Sequence, residues 1–217
     1  MPDLNFKIER AEAQRFAAAP TLLFRLRVTN AVADEIIHSV ALRCQIQIEV
    51  ARRQYTAEEQ KQLRDLFDLP ERWGQTLKTM LWTNASVVAS AFQESALVDL
   101  PVACTFDFNV AATKYFQGLE NGEVPLEFLF SGTVFYATAA GGELQVAPIP
   151  WEKEAGFRLP VKVWQEMMDI YYPNSAWLCL RRDVFKRLYE YKVAHAIPTW
   201  EQALERILSA LEEPVAR

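Results

Sequence analysis

His38 and Cys44 stand six positions apart in a run of alternating apolar and polar residues, and a strand through them carries both side chains on one face. An imidazole and a thiolate are the beginnings of a zinc site or of cysteine-histidine catalysis. Extended backbone separates them by about 20 Å at roughly 3.3 Å per residue, too far to share a metal ion or a proton. The remaining soft ligands, His195, Cys104 and Cys179, are distant in sequence. Three cysteines, an odd number set in apolar segments, read as reduced core thiols and not as a disulfide framework. None opens a recognisable helix, where its pKa would fall. Asp99 and Asp107 share a strand face and invite a reading as paired carboxylates, but about 26 Å of strand lies between them. The seven glycines form neither a dinucleotide fingerprint nor a P-loop. The expectation is no catalytic residue, no metal site and no cofactor.

Arg52-Arg53 and Arg181-Arg182 read as solvated charge pairs, since neither is interleaved with aromatics as a nucleic-acid stripe would be. The segment Trp151-Glu152-Lys153-Glu154, with Arg158 and Trp164, is richer. It joins large aromatics and charges of both signs to the prolines Pro148 and Pro150, which confine Leu144 to Trp151 to a sheet edge. Trp and Arg are enriched at interface hot spots, so Trp151, Lys153, Glu154 and Arg158 are the expected partner-binding residues. The competing reading is that a Trp at a sheet-helix junction belongs to the core.

These residues must be held by strands first and helices later. The period of two is clearest from Ile36 to Val50, where Ile36, His38, Val40, Leu42, Cys44, Ile46, Ile48 and Val50 alternate with a set that turns polar from Arg43 onward. That pattern predicts a long, partly central antiparallel strand, buried on both sides at its start and wet on one side at its end. Leu4, Phe6 and Ile8, then Leu22, Phe24, Leu26 and Val28, predict two earlier strands. Thr79 to Phe92, Ser95 to Val110 and Val124 to Thr138 predict three more, long enough to require bulges or bends. Asn121-Gly122 and Gly141-Gly142 supply turn chemistry. Thr56-Ala57-Glu58-Glu59 is a capping box and predicts an inserted helix near 57–68 that stops before Pro70, with Arg72-Trp73-Gly74 returning the chain to the sheet. From Pro160 the spacing becomes helical. Val163, Met167, Ile170 and Tyr171 form one stripe, Asp183 is a candidate cap for a helix carrying Val184, Leu188 and Tyr191, and Thr199-Trp200-Glu201-Gln202 is a second capping box before Leu204, Ile207, Leu208 and Leu211.

The fold class expected is therefore α+β: a mainly antiparallel β-sandwich of long bent strands over 1–160, with one inserted helix, and a C-terminal helical region, 161–217, packed on it. No Gly- or Ser-rich linker marks the change, so one folded unit is expected. A length of 217 residues is sufficient for a large core. A net charge of −5 argues against a protein held to nucleic acid or anionic lipid by its overall field. The first residues, Met1-Pro2-Asp3-Leu4-Asn5-Phe6, lack the basic-then-apolar pattern of a secretory signal, and no apolar run nears the roughly 18 residues of a membrane span. The expected location is cytoplasmic.

The strings Asp99-Leu100-Pro101-Val102-Ala103-Cys104-Thr105-Phe106-Asp107, Phe130-Ser131-Gly132-Thr133-Val134-Phe135, Pro150-Trp151-Glu152-Lys153-Glu154 and Pro198-Thr199-Trp200-Glu201-Gln202-Ala203-Leu204 resemble an uncharacterised bacterial family. It is a domain of unknown function, family sixty eighty-four, and the resemblance spans nearly the whole chain. Genes of that family often lie near those for high-affinity nickel-iron hydrogenases. The resemblance thus implies a non-catalytic accessory, assembly or protein-binding role, with a hydrogenase subunit or maturation factor as partner. It assigns a function to no residue. The alternative is an enzyme or small-molecule binder with a pocket between sheet and helices.

Overall fold

The structure, a computed structural model of the chain, describes residues 2–33, 35–105, 109–138, 142–175 and 178–212. It divides into two compact units, residues 1–175 and 176–217.

The first unit is built from two antiparallel sheets. The smaller holds β1 (Leu4–Ala13), β2 (Thr21–Asn30) and β5 (Ser95–Ala103) in the order β1-β2-β5. The larger runs β4 (Met80–Ala89), β3 (Glu35–Ile48), β6 (Glu123–Thr138) and β7 (Gln145–Pro148), and β8 (Glu154–Pro160) pairs with the other end of β6. Alternation decides which face is dry. On β1, Leu4, Phe6 and Ile8 are buried while Asn5, Lys7 and Glu9 are exposed. The dry faces meet ring to ring: Phe6 stacks on Phe130 at 4.3 Å, and Phe24 stands edge-on to Phe128 at 5.1 Å and to Trp82 at 6.2 Å. Each such buried ring contributes about 1.5–3 kcal/mol relative to exposure.

The long strands bend where their register slips, at Ile8/Arg10 in β1, Ile46/Gln47 between β3 and β4, and Ile37/Ser39 between β3 and β6. The last slip corrects the reading of β3. An extra residue at position 38 exchanges the faces, so Ile37 is buried and Ile36 and His38 are exposed. The strand begins with one wet face, and His38 does not share a face with Cys44.

The inserted helix is present but broken. Thr56 accepts from the Glu59 amide and Glu59 accepts from the Thr56 amide, which starts α1 (Ala57–Gln62). A break at Leu63, fully buried beneath Gly118, separates it from α2 (Arg64–Phe67). A Cβ at position 118 would lie 2.8 Å from Leu63 Cδ2, so a larger residue there would have to displace the buried Leu63 side chain. Trp73 then opens another short helix, α3 (Trp73–Thr76), before the chain rejoins the sheet at Met80. The strand expected to reach Val110 ends at Ala103. Phe106, Asp107 and Phe108, and Gly141 of the glycine pair, lie outside the described residues. Asn109, which the alternation reads as a strand position, caps α4 (Val110–Gln117) by accepting from the Ala112 amide at 2.9 Å.

Helix α5 (Val161–Tyr171) buries Val161, Trp164 and Met167 and lies against β1, β2 and β8. Its Tyr171 hydroxyl donates to the Gln14 carbonyl at 2.7 Å and accepts from the Ala17 amide at 2.8 Å, which fastens the β1–β2 connection.

The second unit consists of α6 (Arg182–Ala194) and α7 (Trp200–Glu212). Thr199 caps α7 by accepting from the Gln202 amide. Asp183 is not the cap of α6: it lies inside the first turn and pairs with Arg181 at 3.1 Å. The indole of Trp200 joins the helices, 5.3 Å from the Phe185 ring and under the Lys192 ammonium at 5.7 Å.

Candidate functional site

Pro148 ends β7 because it cannot donate to another strand, and Pro150 opens the turn that leads to β8. The Lys153 amide donates to the Pro150 carbonyl at 3.2 Å, closing that turn with Trp151 at its tip, 89% exposed. The turn is anchored on two sides. Phe130 donates its amide to the Lys153 carbonyl at 2.9 Å, and the Lys153 ammonium donates to Asp3 at 2.6 Å. Along β8, Ala155 and Leu159 point inward while Glu154 and Arg158 are exposed on the other face. They are about 13 Å apart by strand rise. Among the described residues neither has an ion-pair partner. Trp151, Glu154 and Arg158 are thus each exposed, while the charge of Lys153 is paired with Asp3. Trp164 takes the core alternative, stacked on Phe116 at 5.2 Å and nearly parallel to it.

Arg53 is where the reading of solvated pairs fails. Arg52 is two-thirds exposed, but the side chain of Arg53 is only 7% exposed and that of Glu59 only 1%. The guanidinium grips both Glu59 oxygens, at 2.9 and 2.7 Å, and donates to the carbonyls of Asn121 and Glu123. Glu59 also accepts from the amides of Thr56 and Glu120. Burial pushes the Glu59 pKa up. Bonds from Arg53 and the two amides, with the Arg53 charge, outweigh it and hold the carboxyl below its usual range. Beside them the Tyr55 and Tyr115 hydroxyls are 2.9 Å apart, and burial raises both phenols. With every polar end satisfied, this cluster is a clip tying α1 to the entry of β6. The capping box at Thr56 was its legible half.

Cys44 and Cys104 are buried, as alternation predicts, and burial pushes each thiol up to about 12. Cys179 departs from that expectation and is exposed. His195 sits at the end of α6, its Nδ1 2.9 Å from the Tyr191 carbonyl. Asp99 is paired with Arg25 at 2.8 Å. Among the described residues no cluster of three His, Cys, Asp or Glu side chains has the geometry to hold a metal ion. No described helix is long and apolar enough to cross a membrane.

A concave surface lies within the helical unit. Leu178, Leu180, Phe185, Leu188, Trp200 and Leu204 line a cleft of about 540 Å³, together with Arg182 and Cys179. The stripe on α7 is open as well: Leu204, Leu208 and Leu211 are 36%, 58% and 78% exposed, and among the described side chains of that helix Ala203 is the buried one. Helical spacing located the stripe, but whether it is covered depends on tertiary placement.

No curated protein matches the chain. A family model spans residues 1–216, and on that match the chain belongs to DUF6084, a family of unknown function.

Proposed function

We propose that the protein is a non-catalytic accessory module that binds another protein through the margin formed by Trp151, Glu154 and Arg158, with Lys153 holding the turn in place. The carrying observation is an indole left 89% exposed at the tip of a turn anchored to both sheets. Tryptophan is among the side chains that most often anchor interfaces, and the fixed turn limits the entropy lost on binding. The family resemblance supplies the partner class, a subunit or maturation factor of a nickel-iron hydrogenase system. Affinity purification from the native organism at endogenous level tests this reading. A repeatable stoichiometric partner is expected, and Trp151→Ala or Arg158→Ala should each weaken it by about 2 kcal/mol, roughly thirtyfold, with the fold intact. Full binding by both variants would remove this margin.

The second reading is a small-molecule binder, favoured by the largely apolar cleft between α6 and α7 whose lining includes the cation of Arg182. That chemistry suits an amphipathic anion. Native mass spectrometry of the purified chain separates the two readings, because a retained ligand of fixed mass would favour the binder.

A further inference from the structure

The helical unit, residues 176–217, is close to the length below which a fold needs a staple or a partner to bury a core. Its cysteine, Cys179, is free, and α6 buries no residue. Trp200 fixes how the two helices lie. Its ring is 5.3 Å from that of Phe185 and 6.4 Å from that of Tyr189, which sets it about level with Arg187 of α6. Leu204 shares the cleft with Leu180 and Arg182, so α7 runs back toward the start of α6. Counting in opposite directions from that level puts Glu201 abreast of Lys186 and Glu205 abreast of Arg182. On each helix the residue three after an open one turns inward, Leu188 after Phe185 and Ile207 after Leu204, so residues three before form the outer flank. That flank is Arg182 and Lys186 on α6 and Glu201 and Glu205 on α7, all exposed. Among the described residues only Lys186 of these four is ion-paired, with Glu190 at 3.8 Å.

We propose that the open face of this hairpin packs on the same face of a second copy of the chain, about a two-fold axis parallel to the helices, to form a four-helix bundle. Such an axis lays α6 of each copy on α7 of the other without changing level. Arg182 then meets the copy's Glu205 and Lys186 meets the copy's Glu201, each contact being made twice. This complementarity is what selects a second copy. The face carries a basic flank and an acidic flank in the order that its own rotated image requires, whereas a uniformly acidic or basic foreign helix would suit one flank and be repelled by the other. The area agrees. Phe185, Tyr189, Leu204, Leu208 and Leu211 are exposed, as is Leu178 at the cleft. At about 200 Å² for each large side chain they present roughly 600 Å² per copy, and covering both faces removes up to about 1,200 Å², the low end of specific interfaces. The pairing is independent of Trp151 and closes the cleft beneath the copy.

The test is sedimentation velocity of the full chain over a concentration series, and a reversible dimer is expected. Arg182→Glu and Glu205→Arg each turn two attractive contacts into repulsive ones, so either variant alone should raise the dissociation constant at least about tenfold. Mixed in equal amounts, the two variants complement each other at both contacts and should form a heterodimer about as tight as the parent. Both positions are exposed, and an unchanged circular dichroism spectrum would confirm intact helices. In the unmodified chain, maleimide labelling of Cys179, which lines the cleft, should slow as concentration rises, while Cys44 and Cys104 are buried throughout. That measurement decides the matter even if a variant loses its helices. A monomer at every concentration overturns the proposal. So do folded single variants that dimerise as tightly as the parent, a mixture that fails to restore the dimer, or labelling of Cys179 that ignores concentration.

Discussion

Glu59 shows how far one residue can depart from what its type suggests. A carboxylate with 1% of its side chain exposed is tolerated because Arg53 and two amides answer both oxygens. Removing the charge leaves Arg53 buried without its partner, so Glu59→Gln should cost about 3–5 kcal/mol at neutral pH in urea unfolding. The sign of the pH dependence follows from the depressed pKa. Glu59 stabilises the fold fully above its unfolded value, about 4.3, and this contribution is lost as pH falls from there through the lower folded value. The gap between parent and variant should therefore narrow below about pH 4. A gap that stays constant into that range would mean that the pairing is not what stabilises the charge. At this scale the sequence disclosed the capping box, since it is local, but not Arg53, whose other partners are 68 and 70 residues away.

Among the elements, β3 and β6 carry the frame, and Gly132 is the position on which their contact turns. It adopts φ +143°, and a Cβ there would lie 2.1 Å from the Ala41 carbonyl oxygen of β3. Backbone cannot give way as a flexible side chain can. Gly132→Ala should part the two strands locally and cost about 2–3 kcal/mol, read as a fall in melting temperature. A variant as stable as the parent would show that β3 and β6 approach less closely. Strand alternation was legible along most of β1, β2, β3 and β6 because period two is local physics. The extra residue at His38 and the helix opened by Asn109 were not. A bulge is defined against the partner strand, and the Asn109 side chain is held by carbonyls of Leu81 and Trp82, on a different element.

For the whole molecule, the packed core runs from Leu4 to Met167, with Met168 and Tyr171 against it, all within residues 1–175. A fragment ending at Ser175 contains every member of that cluster, so it should be soluble and show a cooperative melt at the temperature of a transition in the full chain. An insoluble fragment would show instead that the helical unit is integral, the single folded unit that the missing linker led us to expect. Calorimetry of both chains gives the answer directly.

Composition and periodicity by themselves determined an antiparallel β-rich fold with helices toward its end, the burial of Cys44 and Cys104, and the edge position of the segment around Pro148. Each follows from properties of neighbouring residues, namely side-chain period, apolarity and a missing amide proton. Tertiary structure alone decided that Trp151 is exposed while Trp164 is core, that Arg53 is buried while Arg52 is solvated, and that Cys179 is exposed. The physical reason is common to all three cases. Burial depends on which distant surfaces arrive at a side chain, and two residues of one type in adjacent segments can meet opposite surroundings.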